Sequence, residues 1–375
     1  TFGSRNSLFF DVLGYISAKI IFGFIMIEYK GVRLSAFASE LPEIIVSSDE
    51  VENRLAPLYK RLNLPEGRLE LMSGIKERRY WLPNTSPSDG AIRVAKKVLQ
   101  QSNTAPEDVS CLLFCSVSRD FVEPATSTVV HRELGLSNNA LNFDISNACL
   151  GLVSGILMLA NMIELKQIKC GLAVCSENAG PLLDNTIEIL NNDQSITRQS
   201  VKAHFASLTI GSAAAAVLLK SADCDPEGHK LMHAASYSDC SNNELCQGDV
   251  KGGGMLEGTS PLMQTDSQEL LQQGVKVAAK MWDKLQKVSG WDANSPDLIC
   301  THQVGRFHRK LLYETLQLPL EKDFSSFSFL GNCGSASLPA TCAIAAERKL
   351  LQKGDKLLML GIGSGINATG LTVEW

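Results

Sequence analysis

The stretch NFDISNACLGLVSGILMLANMIEL, from Asn142 to Leu165, decides the fold class of this chain. The pattern predicts a short strand over 141–145 and a helix over 150–166. Because the helix is apolar nearly all round, we expect it to be buried in the middle of the fold. Cys149 lies at the corner between strand and helix, where α/β enzymes present a nucleophile. A buried, inert cysteine is the commoner outcome for an isolated residue of this type.

Strands and helices alternate on both sides of this stretch. Continuous apolar runs such as CLLF (111–114) and CGLAVCSE (170–177) are typical of buried parallel strands. An apolar strand beside a glycine-containing turn closes each half of the chain, at 211–219 and at 357–373. This internal similarity predicts a duplicated α/β core, with one half at 26–220 and the other at 221–375.

Residues 1–25 are interpreted as an N-terminal extension. The run FFDVLGYISAKIIFGFIMI is apolar over 19 residues, with Asp11 and Lys19 as its charged interruptions. A membrane anchor or a signal-like segment is one interpretation, and the two charges count against a clean span. We favour a gene-model artefact, because the chain opens on Thr1 and Met26 is a sensible start before a predicted strand.

Composition excludes several classes of function. The chain has 375 residues, a formal net charge of −5 and no run of basic residues, so we expect no nucleic-acid partner. Its 11 cysteines are scattered and form no CxxC pair, which argues against a disulfide framework and against a metal site. Free cysteines in this number favour a cytoplasmic location.

Four further residues or motifs could carry chemistry. His302, in LICTHQVG, ends an apolar strand, and carboxyl ends of parallel strands are where α/β folds place their sites. Asn332 lies in a Gly-Asn-X-Gly turn that can aim its side chain inward, although a plain turn asparagine is commoner. Glu123 follows a buried strand and is either a base or a first-turn carboxylate before Pro124. The GIGSG motif at 361–365 lacks dinucleotide-loop spacing and suits a turn whose N–H groups approach a ligand oxygen.

The reactivity of the corner cysteine depends on its protonation. A helix N-terminus favours the thiolate form of Cys149, because its free N–H groups and dipole stabilise negative charge. The remaining histidines, including His308, have no comparable context and are interpreted as structural or surface residues.

Taken in order, the motifs DISNACLG, THQVG, GNCGSASLP and GIGSGINATG resemble those of the thiolase superfamily, and of its ketoacyl synthase III-like condensing enzymes in particular. The resemblance covers roughly residues 27–375. It implies an α/β thiolase fold of five layers, αβαβα, with two similar halves and the site between them. It also implies a homodimer.

The resemblance implies a role for each motif residue. Cys149 matches the acyl-accepting nucleophile, while His302 and Asn332 match the pair that binds the thioester carbonyl of the second substrate. The backbone N–H groups of Cys149 and Gly365 match an oxyanion hole, which stabilises the tetrahedral intermediate.

A further arginine matches a family position. Arg78 or Arg79, in SGIKERRYW, corresponds to the arginine that contacts the CoA nucleotide, with a surface helix cation as the alternative.

Glu123 separates two branches of this family. Ordinary ketoacyl synthase III enzymes decarboxylate a malonyl thioester and need no base, and their equivalent position is apolar. The VEPATS motif, with Glu123 26 residues before Cys149, resembles the OleA-type enzymes that condense two acyl-CoA molecules head to head in long-chain olefin biosynthesis. In that branch the glutamate comes from the partner subunit. A carboxylate with a raised pKa in an apolar pocket is a suitable base for an acyl-CoA, which has no carboxylate to lose.

The sequence therefore predicts an acyltransferase that condenses two fatty acyl-CoA molecules through a Cys149 acyl-enzyme, without decarboxylation. CoA enters as part of the substrate, and no separate cofactor is expected. Downstream enzymes of an olefin pathway are expected partners. A decarboxylative 3-oxoacyl-ACP synthase III that uses malonyl-ACP is the alternative, and a catalytically silent scaffold is a more distant one.

Overall fold

The computed structural model describes residues 26–248, 262–302 and 304–375. The predicted extension at 1–25 lies outside these residues. The strands, in chain order, are β1 Met26–Glu28, β2 Val32–Glu40, β3 Ile44–Ser47, β4 Glu77–Tyr80, β5 Cys111–Phe114, β6 Leu141–Asp144, β7 Cys170–Glu177, β8 Ala213–Ser221, β9 His229–Ser238, β10 Cys246–Gly248, β11 Met263–Thr265, β12 Leu298–Thr301, β13 Asp323–Phe324, β14 Lys356–Gly363 and β15 Asn367–Glu374.

Helices connect and cover these strands. They are α1 Ser48–Arg54, α2 Ala56–Leu62, α3 Arg68–Ser73, α4 Pro87–Gln101, α5 Ser127–Leu134, α6 Gly151–Glu164, α7 Gly180–Asn192, α8 Ser267–Ser289, α9 Arg306–Leu316, α10 Phe327–Leu330 and α11 Ser337–Glu347. Short 3₁₀ turns at Ala148–Leu150 and Gly334–Ala336 lead into α6 and α11.

The two halves share one strand order. The first half reads β6-β5-β7-β8-β2 and the second reads β13-β12-β14-β15-β9. When the five strands of each half are counted along the chain, both orders are 3-2-4-5-1. In each half the first-counted and fifth-counted strands pair antiparallel, while the second pairs parallel with the third and fourth. The predicted duplicated core is confirmed.

Alternation along the strands places the helices in layers. Leu113 faces a core shared with α6 and α11, whereas Leu112 and Phe114 face the core that holds α4 and α5. In the second half, Leu357 and Met359 face the same α6 and α11 core. Leu358 and Leu360 face α8 and α9 on the other side. The result is the five-layer αβαβα arrangement, with α6 and α11 in the middle layer.

Two local expectations are corrected. The single strand predicted after Met26 is divided in two, because the chain turns after Glu28 and restarts at Val32. The segment around Arg78 is a strand rather than a helix. Helix α3 ends at Ser73 since Gly74 adopts a left-handed conformation (φ 78°), which stops the helix before β4 begins.

No helix in the described ranges has the length and apolar character needed to cross a membrane.

Candidate active site

Cys149 lies in the middle of the 3₁₀ turn between β6 and α6. The preceding residue, Ala148, has φ 44°, a left-handed conformation that residues other than glycine rarely adopt and that is common at functional sites. Asn147 holds the turn from both sides. Its Nδ2 donates to Ser154 Oγ (2.9 Å), and its Oδ1 accepts from Asn367 Nδ2 (3.2 Å) in the terminal hairpin.

Three glycines allow two neighbouring segments, the end of β5 and the strand β14, to approach this turn closely. A Cβ atom at Gly151 would lie 2.7 Å from the carbonyl oxygen of Cys115, at the end of β5. A Cβ at Gly363 would lie 3.5 Å from the backbone nitrogen of Leu150, and one at Gly361 would collide with the Leu150 side chain. The hairpin turn that contains Gly365 therefore lies beside the nucleophile turn. The oxyanion-hole role of Gly365 stays a prediction.

The thiol of Cys149 is protonated in the resting protein. Burial, followed by the neighbouring Cys246 and Glu177, raises its pKa to about 12. The expectation that the helix start favours a thiolate is wrong for this state, because removal of the site from water outweighs the effect of the backbone N–H groups. A nucleophilic role for Cys149, which stays a prediction, would therefore require transfer of its proton during the reaction.

His302 directly follows β12 and is 3% exposed. Its backbone N–H donates to the carbonyl of Leu360 on β14 (2.8 Å). Burial, and then the neighbouring His308, lowers the pKa of His302 to about 3, while burial lowers that of His308 to about 4. Both rings are therefore neutral at pH 7. Within the described ranges, neither Nδ1 atom has a hydrogen-bond partner.

His308 was expected to be a structural or surface residue, and it is buried and lowers the pKa of His302. No sequence signal pointed to this interaction, since it depends on how α9 packs relative to β12.

Asn332 is a turn residue whose side-chain amide is oriented by its surroundings. Its Oδ1 accepts from the backbone N–H of Gly334 (3.0 Å) and from Ser337 Oγ (3.3 Å). Its backbone bonds with Thr209 and Gly211 at 3.0 and 2.9 Å. With Oδ1 occupied, Nδ2 is directed away and has no acceptor in the described part of the chain. An amide N–H in this state is available to a carbonyl oxygen of a substrate.

The elements bring Cys149, His302 and Asn332 to one region. The 3₁₀ turn that follows Asn332 packs on the start of α6, where a Cβ at Gly151 would lie 3.2 Å from Ser335 Cβ. His302 bonds to Leu360, the neighbour of Gly361, which contacts Leu150.

Glu123 lies in a different environment. It is exposed on the loop between β5 and α5, next to exposed Phe121 and Val122. Nothing in the described residues forms a hydrogen bond or an ion pair with its carboxylate. The predicted apolar pocket around Glu123 is thus absent from the described single chain.

The two arginines differ from expectation. Arg78 is completely buried, with Nη1 donating to Ser48 Oγ (3.1 Å) and Nη2 to the carbonyl of Leu208 (3.1 Å). Burial lowers its pKa. A guanidinium enclosed in this way cannot contact a CoA nucleotide, so that expectation is wrong for Arg78. Arg79 is partly exposed and donates to the carbonyl of Pro42 (3.1 Å), and its CoA contact stays a prediction.

Each of the 11 cysteines is a free thiol, and the described residues contain no group of three or more His, Cys, Asp or Glu side chains that could hold a metal ion.

Fold and site together define a thiolase-fold condensing enzyme, with a cysteine at the start of one central helix and an oriented asparagine before the other. Family models for 3-oxoacyl-[acyl-carrier-protein] synthase III match residues 143–240, and for its C-terminal part residues 286–375. Within this family, the chain belongs to the acyl-CoA:acyl-CoA alkyltransferases, or OleA proteins.

Two curated relatives carry that name. The acyl-CoA:acyl-CoA alkyltransferase of Shewanella oneidensis is 38% identical over 351 residues, which cover 93% of this chain and 100% of the relative. The one of Xanthomonas campestris is 32% identical over 330 residues, which cover 88% of this chain and 94% of the relative.

Solved structures of Xanthomonas campestris OleA match the whole fold. One with bound lauric acid and lauroyl-CoA superposes with a TM-score of 0.86 at 31% identity, over 92% of this chain and 100% of that one. Others carry substitutions of a cysteine, a glutamate or a histidine. The substituted glutamate lies 26 residues before the substituted cysteine, which is the spacing between Glu123 and Cys149 here.

Proposed function

We propose that this protein condenses two fatty acyl-CoA molecules head to head by a non-decarboxylative Claisen reaction. The observation that carries the proposal is Glu123, an acidic residue 26 positions before Cys149 in a chain that also has the Cys, His and Asn set. A decarboxylating synthase generates its carbanion by loss of CO₂ and has no use for a base. A fatty acyl-CoA needs one.

The first half-reaction forms the acyl-enzyme. The sulfur of Cys149 attacks the thioester carbonyl of the first acyl-CoA, and the backbone N–H groups of Cys149 and Gly365 stabilise the oxyanion. Because the pKa of the thiol is raised to about 12, a base must take its proton. The neutral imidazole of His302 relays this proton to the departing CoA sulfur in the same step, because its pKa of about 3 does not allow the imidazolium to accumulate.

The second half-reaction forms the carbon–carbon bond. The carbonyl of a second acyl-CoA accepts hydrogen bonds from His302 and from Asn332 Nδ2. Glu123 removes the α-proton, and the resulting carbanion attacks the Cys149 thioester. The cysteine leaves as a thiolate and takes up a proton in place of the one that Glu123 removed from the second acyl-CoA, so that Cys149 ends as a thiol and Glu123 as a carboxylate. The 2-alkyl-3-ketoacyl-CoA is released or hydrolysed to the β-keto acid.

We place Glu123 in the active site of a second subunit. The edge strand β6 exposes Leu141 and Phe143, and the Glu123 loop adds exposed Phe121 and Val122. An unpaired, apolar strand edge is normally covered by another chain. A homodimer through this edge surrounds Glu123 with apolar groups, which is the environment a base of this kind requires.

The remaining parts of the proposal concern the setting of the reaction. Arg79 contacts the CoA nucleotide, and no cofactor beyond the CoA of the substrates takes part. The enzyme works in the cytoplasm and associates with downstream enzymes that process the β-keto acid toward an olefin.

The experiment supplies lauroyl-CoA alone, without a malonyl donor, and follows CoA release and coupled product by mass spectrometry. We expect the 2-alkyl-3-keto acid or the ketone formed from it. Glu123→Ala should lower product formation about 10³-fold while Cys149 still becomes acylated. Glu133→Ala, a change at another exposed glutamate in the last turn of α5, is the control. Product that requires malonyl-ACP would instead identify a decarboxylating synthase.

A further inference from the structure

Glu177, at the carboxyl end of β7, is a buried carboxylate that the reaction above does not use. Its side chain is 5% exposed and accepts four hydrogen bonds. Oε2 accepts from the N–H of Ser118 (3.0 Å), and Oε1 accepts from the N–H of Val117 (3.0 Å). Oε1 also accepts from the N–H of Ser335 (3.3 Å) and from its hydroxyl group.

These donors belong to two segments of the proposed site. Val117 and Ser118 begin the loop that leads from β5 to Glu123. Ser335 lies in the 3₁₀ turn three residues after Asn332. The packing is close, since a Cβ at Gly334 would lie 3.2 Å from the carboxyl carbon of Glu177. One carboxylate therefore holds the base-bearing loop and the Asn332 turn against each other.

The hydrogen bonds of Glu177 come from uncharged donors. Of the described residues, none forms an ion pair with it, and its hydrogen bonds come from backbone N–H groups and one hydroxyl group. Burial of a carboxylate costs free energy unless its hydrogen bonds are made. An apolar side chain would fill the same space without this cost if packing were the only requirement. The arrangement therefore suits a carboxylate whose role is to hold the Glu123 loop and the Asn332 turn in fixed positions.

We propose that Glu177 is a positioning residue for the condensation step, acting on Asn332 within its own subunit and on the loop that carries Glu123 to the partner. The inference rests on the proposed function, because it assigns Glu123 as the base. Acylation of Cys149 needs neither Asn332 nor Glu123. Loss of Glu177 should thus affect the second half-reaction far more than the first.

Glu177→Gln tests this with almost no change in size. An amide keeps one acceptor oxygen and replaces the other with an NH₂ group. An NH₂ group at the Oε1 position leaves Val117 and Ser335 without their acceptor, and one at the Oε2 position leaves Ser118 without its acceptor. Glu52→Gln is the matched control. Glu52 is also a buried carboxylate that accepts backbone N–H groups, from Gly67 (2.7 Å) and Leu69 (2.5 Å), but it lies in the α1–α3 region.

Three measurements are made on both variants: the rate of Cys149 acylation by lauroyl-CoA, the rate of coupled-product formation, and the pH profile of Cys149 alkylation by iodoacetamide. For Glu177→Gln we expect condensation to fall about 10- to 100-fold and acylation to change less than about threefold. The alkylation profile should move to lower pH, because the Glu177 charge contributes to the raised pKa of Cys149. Glu52→Gln should change none of the three.

Two results would overturn the proposal. In one, Glu177→Gln lowers the rates of acylation and condensation by the same factor. In the other, Glu177→Gln condenses as fast as the control variant Glu52→Gln. Ser335→Ala keeps the test decisive if Glu177→Gln does not fold. It removes one of the four donors and should lower condensation a few-fold with acylation intact, and an unchanged condensation rate would count against the role of Glu177.

The wild-type reaction separates this inference from the proposed function. If the wild-type protein forms coupled product from lauroyl-CoA alone, the variants test Glu177 by itself. If it requires malonyl-ACP, the proposed function fails. The ratio of condensation to acylation is then measured with that donor, and a wild-type ratio in Glu177→Gln overturns the positioning role as well.

Discussion

The two halves of the molecule share a strand order but differ at their outer edges. The edge strand of the first half, β6, leaves Leu141 and Phe143 exposed by 53% and 37%. The edge strand of the second half, β13, has two residues, and Arg309 and Tyr313 cover its Asp323 with an ion pair and a hydrogen bond. A short edge closed by charge discourages pairing, whereas an open apolar edge invites it. The two equivalent edge strands therefore differ: β13 is protected from pairing, whereas β6 is suited to contact with a second chain.

The halves also differ at equivalent corners. In each half, a 3₁₀ turn after the third strand leads into a helix of the middle layer, and in the second half the short α10 lies between β13 and that turn. The corner before α6 holds the thiol of Cys149, and the corner before α11 holds the oriented amide of Asn332. The same kind of turn thus presents a thiol in one half and a side-chain amide donor in the other.

The largest expected effect tests the difference between the edges. Phe143→Asp places a charge on the open edge, and we expect it to convert a dimer to a monomer in light scattering. Condensation should fall about 10³-fold, because Glu123 no longer reaches a partner site. Leu320→Asp, at a residue 44% exposed just before the closed edge, should leave mass and rate unchanged. A dimeric, active Phe143→Asp protein would contradict the interface.

The next effect tests the corner of the second half. Asn332→Asp keeps an oxygen that can accept from Gly334 and Ser337, but it replaces the Nδ2 donor with a second oxygen. We expect condensation to fall about 10²- to 10³-fold, the cost of one lost donor to a developing oxyanion, with Cys149 acylation retained. Single-turnover acylation and product assays measure the two steps. Wild-type condensation in this variant would exclude a role for the amide donor.

A smaller effect tests the corner of the first half. Since the pKa of Cys149 is raised to about 12, the fraction of thiolate grows as pH rises toward that value. Alkylation of Cys149 in the resting protein should therefore accelerate about tenfold for each pH unit between pH 7 and 10. Peptide mass spectrometry follows it beside the exposed Cys224 and Cys240. A plateau near pH 8 would show that the helix start dominates after all.

The smallest effect concerns the histidine pair of the second half. The pKa of His308 is lowered from 6.5 to about 4, so the unfolded chain binds a proton below pH 6.5 that the folded chain does not bind. The free energy of unfolding must therefore fall as pH falls through this window. Between pH 6.5 and 5.0 we expect His308 to account for about 1.5 kcal/mol of the loss.

Urea unfolding of the wild type and of His308→Asn at the two pH values measures this contribution. The variant should lose less stability on acidification, and an identical pH dependence would show that His308 titrates normally in the folded protein.

The sequence alone determined the duplicated α/β core, the corner at Cys149 and the order of the four motifs. These features depend on local properties: hydrophobic period, the apolar run of α6, and glycines where the chain turns or elements touch. The motif resemblance then placed Cys149, His302 and Asn332 among the candidates before any geometry was known. Glu177 also had a sequence signal, an acidic residue at the end of a buried strand, which is the signal that drew attention to Glu123.

The tertiary structure alone decided burial, charge state and exposure. It buried Arg78, brought His308 close enough to lower the pKa of His302, and raised the pKa of Cys149. It also left Glu123 exposed on its loop. Each of these properties depends on segments far apart in the chain, because desolvation and hydrogen bonding are set by whatever packs around a group. A sequence pattern records the neighbours along the chain, whereas the protonation of the site and the open edge at β6 follow from neighbours in space.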